Sequence, residues 1–175
     1  MELKTKRLTL CPLGMKFLSS THEYASDIEN TRYMVYLPNE TVEETAEFLK
    51  GVDDEWQKEK PNFYEFAILL DGKHIGAASV TLEDDTSCEL GWIMNKKYWG
   101  HGFASEAAEA IVNFAAHKLG VTHFIAHCDG ENIGSYRVME KIGMKRTGYY
   151  PGRKNKSSPE DRMECLYELT VSEGK

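Results

Sequence analysis

A chain of 175 residues can bury a core of useful size, and 41% hydrophobic with 28% charged residues is a globular composition, not a disordered one. With 28 acidic against 21 basic side chains the formal charge is −7, which argues against direct nucleic-acid binding, because neutralising phosphates needs a basic surface. No run approaches the roughly 18 apolar residues of a membrane span, and the charged opening, residues 1–7, lacks the apolar centre of a secretory signal, so a cytoplasmic protein with no membrane partner is the expectation.

In chain order, residues 8–11 alternate weakly and read as an opening strand, followed by a helical stretch over 15–28. Residues 30–38 are irregular and aromatic, with Tyr33 and Tyr36. Thr41 and Glu44 have the spacing of a capping box, in which each side chain satisfies the other's free amide, and Val42, Leu49, Val52 and Trp56 then carry a helix to about residue 58. Residues 63–70, the Asp71-Gly72 turn, 74–82 and 87–94 predict an antiparallel meander. A helix over 104–119 closes at Gly120, a strand covers 123–128, and a second amphipathic helix over 133–142 closes at Gly143. Strands over 144–149 and 164–171 end the chain, and the polar stretch 151–161 between them, with Arg153, Lys154 and Lys156, reads as a mobile loop.

This order predicts one domain over residues 1–175 of the mixed α/β class, with α+β layering. Helices would flank a central twisted mixed sheet, mainly antiparallel, of about six or seven strands. It is not the regular strand-helix alternation of a doubly wound dinucleotide fold. Cys11, Cys88, Cys128 and Cys165 are far apart, without a CxxC pair, and read as buried free thiols. The six histidines show no HExxH or other close ligand pair, so no metal is expected.

The stretch Trp99-Gly100-His101-Gly102-Phe103-Ala104-Ser105 links a strand to a helix through two glycines. The first turn of a helix has free N–H groups and a partial positive charge, and glycine removes the Cβ that would hold an anion off the backbone. Such a turn can take a pyrophosphate on main-chain amides alone. Two glycines by themselves favour an empty turn. A third glycine at dinucleotide spacing and the Gly-Lys-Ser/Thr of a Walker loop are both missing.

The passage resembles the GCN5-related N-acetyltransferase superfamily (GNAT), in particular its ribosomal-protein-alanine N-acetyltransferase (RimJ/RimL-like) branch, where an aromatic-Trp-Gly-x-Gly-aromatic-Ala run opens a helix. Trp99 stands where the superfamily pattern has Gln or Arg. A second signature, Asn132 to Ser135 and then Glu140-Lys141-Ile142-Gly143-Met144, and the opening Thr5-Lys6-Arg7-Leu8 carry the resemblance over nearly the whole chain. The resemblance implies a GNAT-like acyl-CoA N-acyltransferase fold and transfer of acetyl from acetyl-CoA, as co-substrate, to a primary amine of a protein N-terminus or a small molecule. Attack would be direct, in a ternary complex. It further implies that Trp92, Ile93 and Met94 offer a strand edge to pantetheine and that Gly100, His101, Gly102, Phe103, Ala104 and Ser105 hold the pyrophosphate. Asn132 would bond the pantetheine arm and Ser135 would lie near the thioester.

An α-amino group titrates near 8, so about a tenth is neutral at pH 7, whereas a lysine amine needs a base far more. Glu89, on the strand face of Gly91 and Ile93, is the candidate base, its alternative being a carboxylate paired with a neighbouring cation or pointing to solvent. Ser135 is the candidate acid, because the family's usual Tyr position holds Met139. That gap leaves a noncatalytic acyl-CoA-binding module as the rival reading. Asn132 could equally serve as a helix N-cap. Tyr33, Met34, Tyr36, Phe63 and Tyr64 are candidate acceptor-side residues, with a core role as the alternative. If the protein assembles, a homodimer is the commonest arrangement.

Overall fold

Alternating apolar residues build most of the sheet. In the computed structural model, which describes residues 1–172, the strands are β1 (Leu3–Lys4), β2 (Leu8–Pro12), β3 (Phe63–Leu70), β4 (Lys73–Leu82), β5 (Ser87–Met94), β6 (His123–Asp129), β7 (Lys145–Lys154) and β8 (Asp161–Thr170). The helices are α1 (Leu18–Ala25), α2 (Val42–Trp56), α3 (Phe103–Leu119) and α4 (Ile133–Lys141). One sheet runs in the order β1-β2-β3-β4-β5-β6-β8-β7, antiparallel except for the parallel contact of β5 with β6. It has eight strands where six or seven were expected, the addition being the two-residue β1, too short for a periodic signal.

The pleat sorts side chains onto two faces. Leu10, Phe66, Val80, Leu90 and Phe124 meet Ala107, Ile111 and Phe114 of α3 in the larger core. Cys11, Leu13, Ala67 and Ala77 meet Leu49 and Val52 of α2 on the other side. Both halves of the capping box at Thr41 and Glu44 are formed, and Gly120 ends α3 with φ +74°. All four cysteines are free and buried.

Two local expectations change. The first helical stretch divides into a 3-10 turn, Met15–Phe17, and α1, which stops at Ala25 as the Ser26 hydroxyl bonds the His22 carbonyl. The stretch 151–161 is partly strand: β7 continues to Lys154 and β8 starts at Asp161, with register shifts on either side of Tyr149-Tyr150 that leave Thr147, Pro151 and Gly152 out of the pairing. Two of its cations are tied down. Arg153 pairs with Glu164 at 2.8 Å and donates to the Tyr33 carbonyl, and Lys156 donates to the carbonyls of Met34 and Pro38. Residues 30–38 are thereby fastened to the end of the sheet.

Candidate active site

The parallel contact between β5 and β6 lasts only for Ser87↔His123, Cys88↔Phe124 and Glu89↔Ile125. Beyond it, β5 pairs only with β4 and β6 only with β8, so the two strands part and leave a gap. Asn95 N–H donates to Ile75 O at 2.8 Å, and from there the antiparallel alternation turns the main-chain groups of Ile93 and Gly91 toward β4. Those of Trp92 and Met94 face the gap. The Met94 carbonyl is already taken, by Trp99 Nε1 at 2.8 Å and Asn30 Nδ2 at 3.1 Å. The Trp92 indole N–H is buried without a partner.

Trp99 therefore closes the loop back onto the end of β5. Gly100 and Gly102 follow with φ +80° and +78°, left-handed conformations that favour glycine. Gly102 is the N-cap of α3, and the first amide to turn inward is that of Glu106, donating to Gly102 O. Among the described residues, the amides of Phe103, Ala104 and Ser105 have no acceptor. These are the free donors an anion needs.

Two cations join them. A Cβ placed on Gly102 would lie 3.5 Å from both Arg7 Nη2 and Lys141 Nζ. Arg7 is held by Glu106 at 2.7 Å, by the His101 carbonyl at 2.9 Å and by the Phe103 ring, 4.5 Å from its guanidinium carbon. Burial raises the Glu106 carboxyl, but hydrogen bonds from Thr5 and Arg7 outweigh it and hold the group below the usual carboxylate range. Within an anionic chain, the turn is locally cationic. Of the other loop residues, His101 is exposed with its ring 5.5 Å from that of Phe103, Ala104 is half-buried, and Ser105 is buried.

Across the gap, Asn132 caps α4, its Oδ1 accepting from Ser135 N at 3.2 Å, and among the described residues its amide NH₂ has no acceptor. Ser135 is half-buried in the first turn of α4. Met139 is buried in the core. Glu89 Oε1 meets His127 Nδ1 at 2.7 Å, and this hydrogen bond raises the His127 pKa above its ordinary value. Glu89 thus stands in the paired state considered as its alternative, with a titratable partner at the point where the strands part.

Of the acceptor-side aromatics, Tyr64 is core, edge-on to Trp56 and Phe114. Phe63, Tyr33 and Met34 are half-buried and Tyr36 is exposed. Below the 30–38 segment, buried Asp129 at the end of β6 binds Arg162 and accepts from Asn155 Nδ2 at 2.7 Å.

Arg7, Lys141 and His127 escaped the sequence reading as site residues. The first two lie inside the stretches that carried the family resemblance, which was the available signal. His127 had none, since only the meeting of β5 and β6 puts it beside Glu89.

An acetyltransferase (GNAT) domain model matches residues 7–145. The chain is 32% identical over 155 residues to an uncharacterized N-acetyltransferase, YnaD, of Bacillus subtilis, covering 86% of each protein. A GNAT-family acetyltransferase structure from Bacillus anthracis superposes with a TM-score of 0.82 at 31% identity, over 97% of this chain and 98% of that one. The Salmonella typhimurium acetyltransferase that modifies the N-terminal serine of ribosomal protein L7/L12 has the same fold, with a TM-score of 0.86 at 14% identity over 98% and 100% of the two chains.

Proposed function

The chain belongs to the acetyltransferase (GNAT) domain family and is an acetyl-CoA-dependent acetyltransferase, and from that premise we propose that it acetylates a primary amine entering over Gly91 on the α2 side of the sheet. The carrying observation is the parting of β5 and β6 directly beside a turn with three free amides and two cationic side chains. Pyrophosphate would rest on the amides of Phe103, Ala104 and Ser105, with Gly100, His101 and Gly102 shaping the turn and Arg7 and Lys141 closing on it. The arm would run along Trp92, Ile93 and Met94, where the unpartnered Trp92 N–H offers a donor and the free amide of Asn132 another.

In this reading Glu89 takes the proton of the attacking amine through its contact with His127. An approaching ammonium can pass one proton to this hydrogen-bonded pair while the His127 imidazole is neutral. The amine nitrogen bonds to the acetyl carbon and the C–S bond breaks; the second N–H proton ends on the departing thiolate, which leaves as the CoA thiol with Ser135 donating a hydrogen bond to the sulfur. No covalent enzyme intermediate is needed. A protein N-terminus or a small-molecule amine suits the site, because either arrives with an amine that is cationic at neutral pH. The test is thiol release from acetyl-CoA across a panel containing a short peptide with a free N-terminus, a linear diamine and free amino acids. Amine-dependent thiol release is the expected result. Tight binding of CoA with no turnover on any amine would overturn the reading.

A further inference from the structure

On the face of the sheet that carries Glu89 lies a second carboxyl that no part of the proposed chemistry uses. Glu65 of β3 is 9% exposed, and among the described residues no hydrogen-bond donor or cation reaches its carboxyl group. Its carbonyl is occupied, accepting from Leu13 N–H at 2.9 Å and Trp56 Nε1 at 3.0 Å, but its side chain is left over.

The register shows where Glu65 sits. It faces Ser79 of β4 in a non-hydrogen-bonded pair, the type whose side chains approach most closely, and Ser79 in turn faces Gly91 of β5. A Cβ on Gly91 would come 2.7 Å from Ser79 Oγ, so the glycine keeps this row low and open. Continued past Glu89↔Ile125, the β5–β6 register carries the row across the gap to His127. Gly91 is thus flanked by Glu65 and Ser79 on one side and by the Glu89–His127 pair on the other. Two strand spacings, about 10 Å, separate Glu65 from the gap strand at backbone level, a distance that a glutamate side chain and an incoming amine can bridge between them.

We propose that Glu65 is the seat of the acceptor's positive charge: its carboxylate receives the ammonium form of the amine, across Ser79, and delivers it over Gly91 to the Glu89–His127 pair. The inference rests on the acetyl-transfer reading above and names the acceptor class as cationic amines. An unpaired buried carboxyl is held protonated, and burial pushes Glu65 up to about 8. An ammonium is the partner that would draw it back to the carboxylate.

The test measures acceptor and acetyl-CoA kinetics for wild type, Glu65→Gln and Glu65→Asp, using the panel amine that the wild type accepts best. The expected result is an acceptor KM at least tenfold higher in Glu65→Gln, a smaller change in kcat, an unchanged KM for acetyl-CoA, and partial recovery in Glu65→Asp. The primary-alcohol analogue of the same acceptor, used as an inhibitor, should bind wild type and Glu65→Gln alike. If Glu65→Gln does not fold, Glu65→Asp alone should still raise the acceptor KM. An active wild type with the same acceptor KM in the folded variants overturns the role of Glu65 and leaves the acetyl-transfer reading standing. A wild type that turns over no amine overturns both.

Discussion

At the turn from Gly100 to Ser105 the groups that would meet a ligand are main-chain amides at a helix start. Over Gly91 they are side chains from β3, β4, β5 and β6. The first region is set by a few consecutive residues, so its chemistry survives any change that leaves the backbone path intact. The second exists only because four strands arrive in one register, and no two of its charged groups belong to the same short motif. Recognition through the backbone should therefore be brittle to one glycine and tolerant elsewhere. Recognition over the sheet should respond in graded fashion to each side chain.

The largest effect expected is at Gly102. Its φ of +78° disfavours a β-branched residue, and any Cβ would stand where an anion must approach Arg7 and Lys141. Gly102→Val should abolish measurable CoA binding in calorimetry while far-UV circular dichroism stays unchanged. Unaltered affinity would break the contrast at its stronger end. On the other side of the cleft, Glu89→Gln keeps a hydrogen bond to His127 but cannot take a proton, and kcat should fall about a hundredfold with CoA affinity preserved. Equal losses in kcat and CoA affinity would show that the two regions are not separable.

Lys141→Ala should weaken CoA binding about tenfold, or roughly 1.4 kcal/mol, the size of a charge-assisted contact. The loss should shrink as salt rises, because the site is near solvent. A salt-independent loss would mean that Lys141 shapes the turn without meeting the phosphate. The smallest effect is on stability. The raised pKa of His127 means that its pairing with Glu89 stabilises the fold fully below the unfolded pKa of about 6.5 and that this contribution is lost as pH rises through the folded value. His127→Asn should lower Tm by about 2 °C near pH 6. The difference should vanish in alkaline buffer. A Tm difference that grows with pH would contradict the pairing.

Local sequence determined the features that local physics controls. The capping box at Thr41, the Gly120 stop, the meander and the amphipathic α3 depend on residues within a few positions of one another, and all four are present. The glycine turn belongs to the same class, because an amide is free at a helix start whatever packs elsewhere. Tertiary structure decided what depends on strand meeting strand. Nothing near residue 89 in the chain announces His127, and Arg7 reaches Gly102 only after β2 and α3 pack together. The stretch 151–161 read as a loop because the partners of Arg153 and Lys156, which are Glu164 and the carbonyls of 33–38, lie outside it. Glu65, in an otherwise apolar strand, became notable only when β4 and β5 placed it in one row with Ser79 and Gly91. Side-chain electrostatics is a property of neighbours in space, and the chain alone lists neighbours only along its own length.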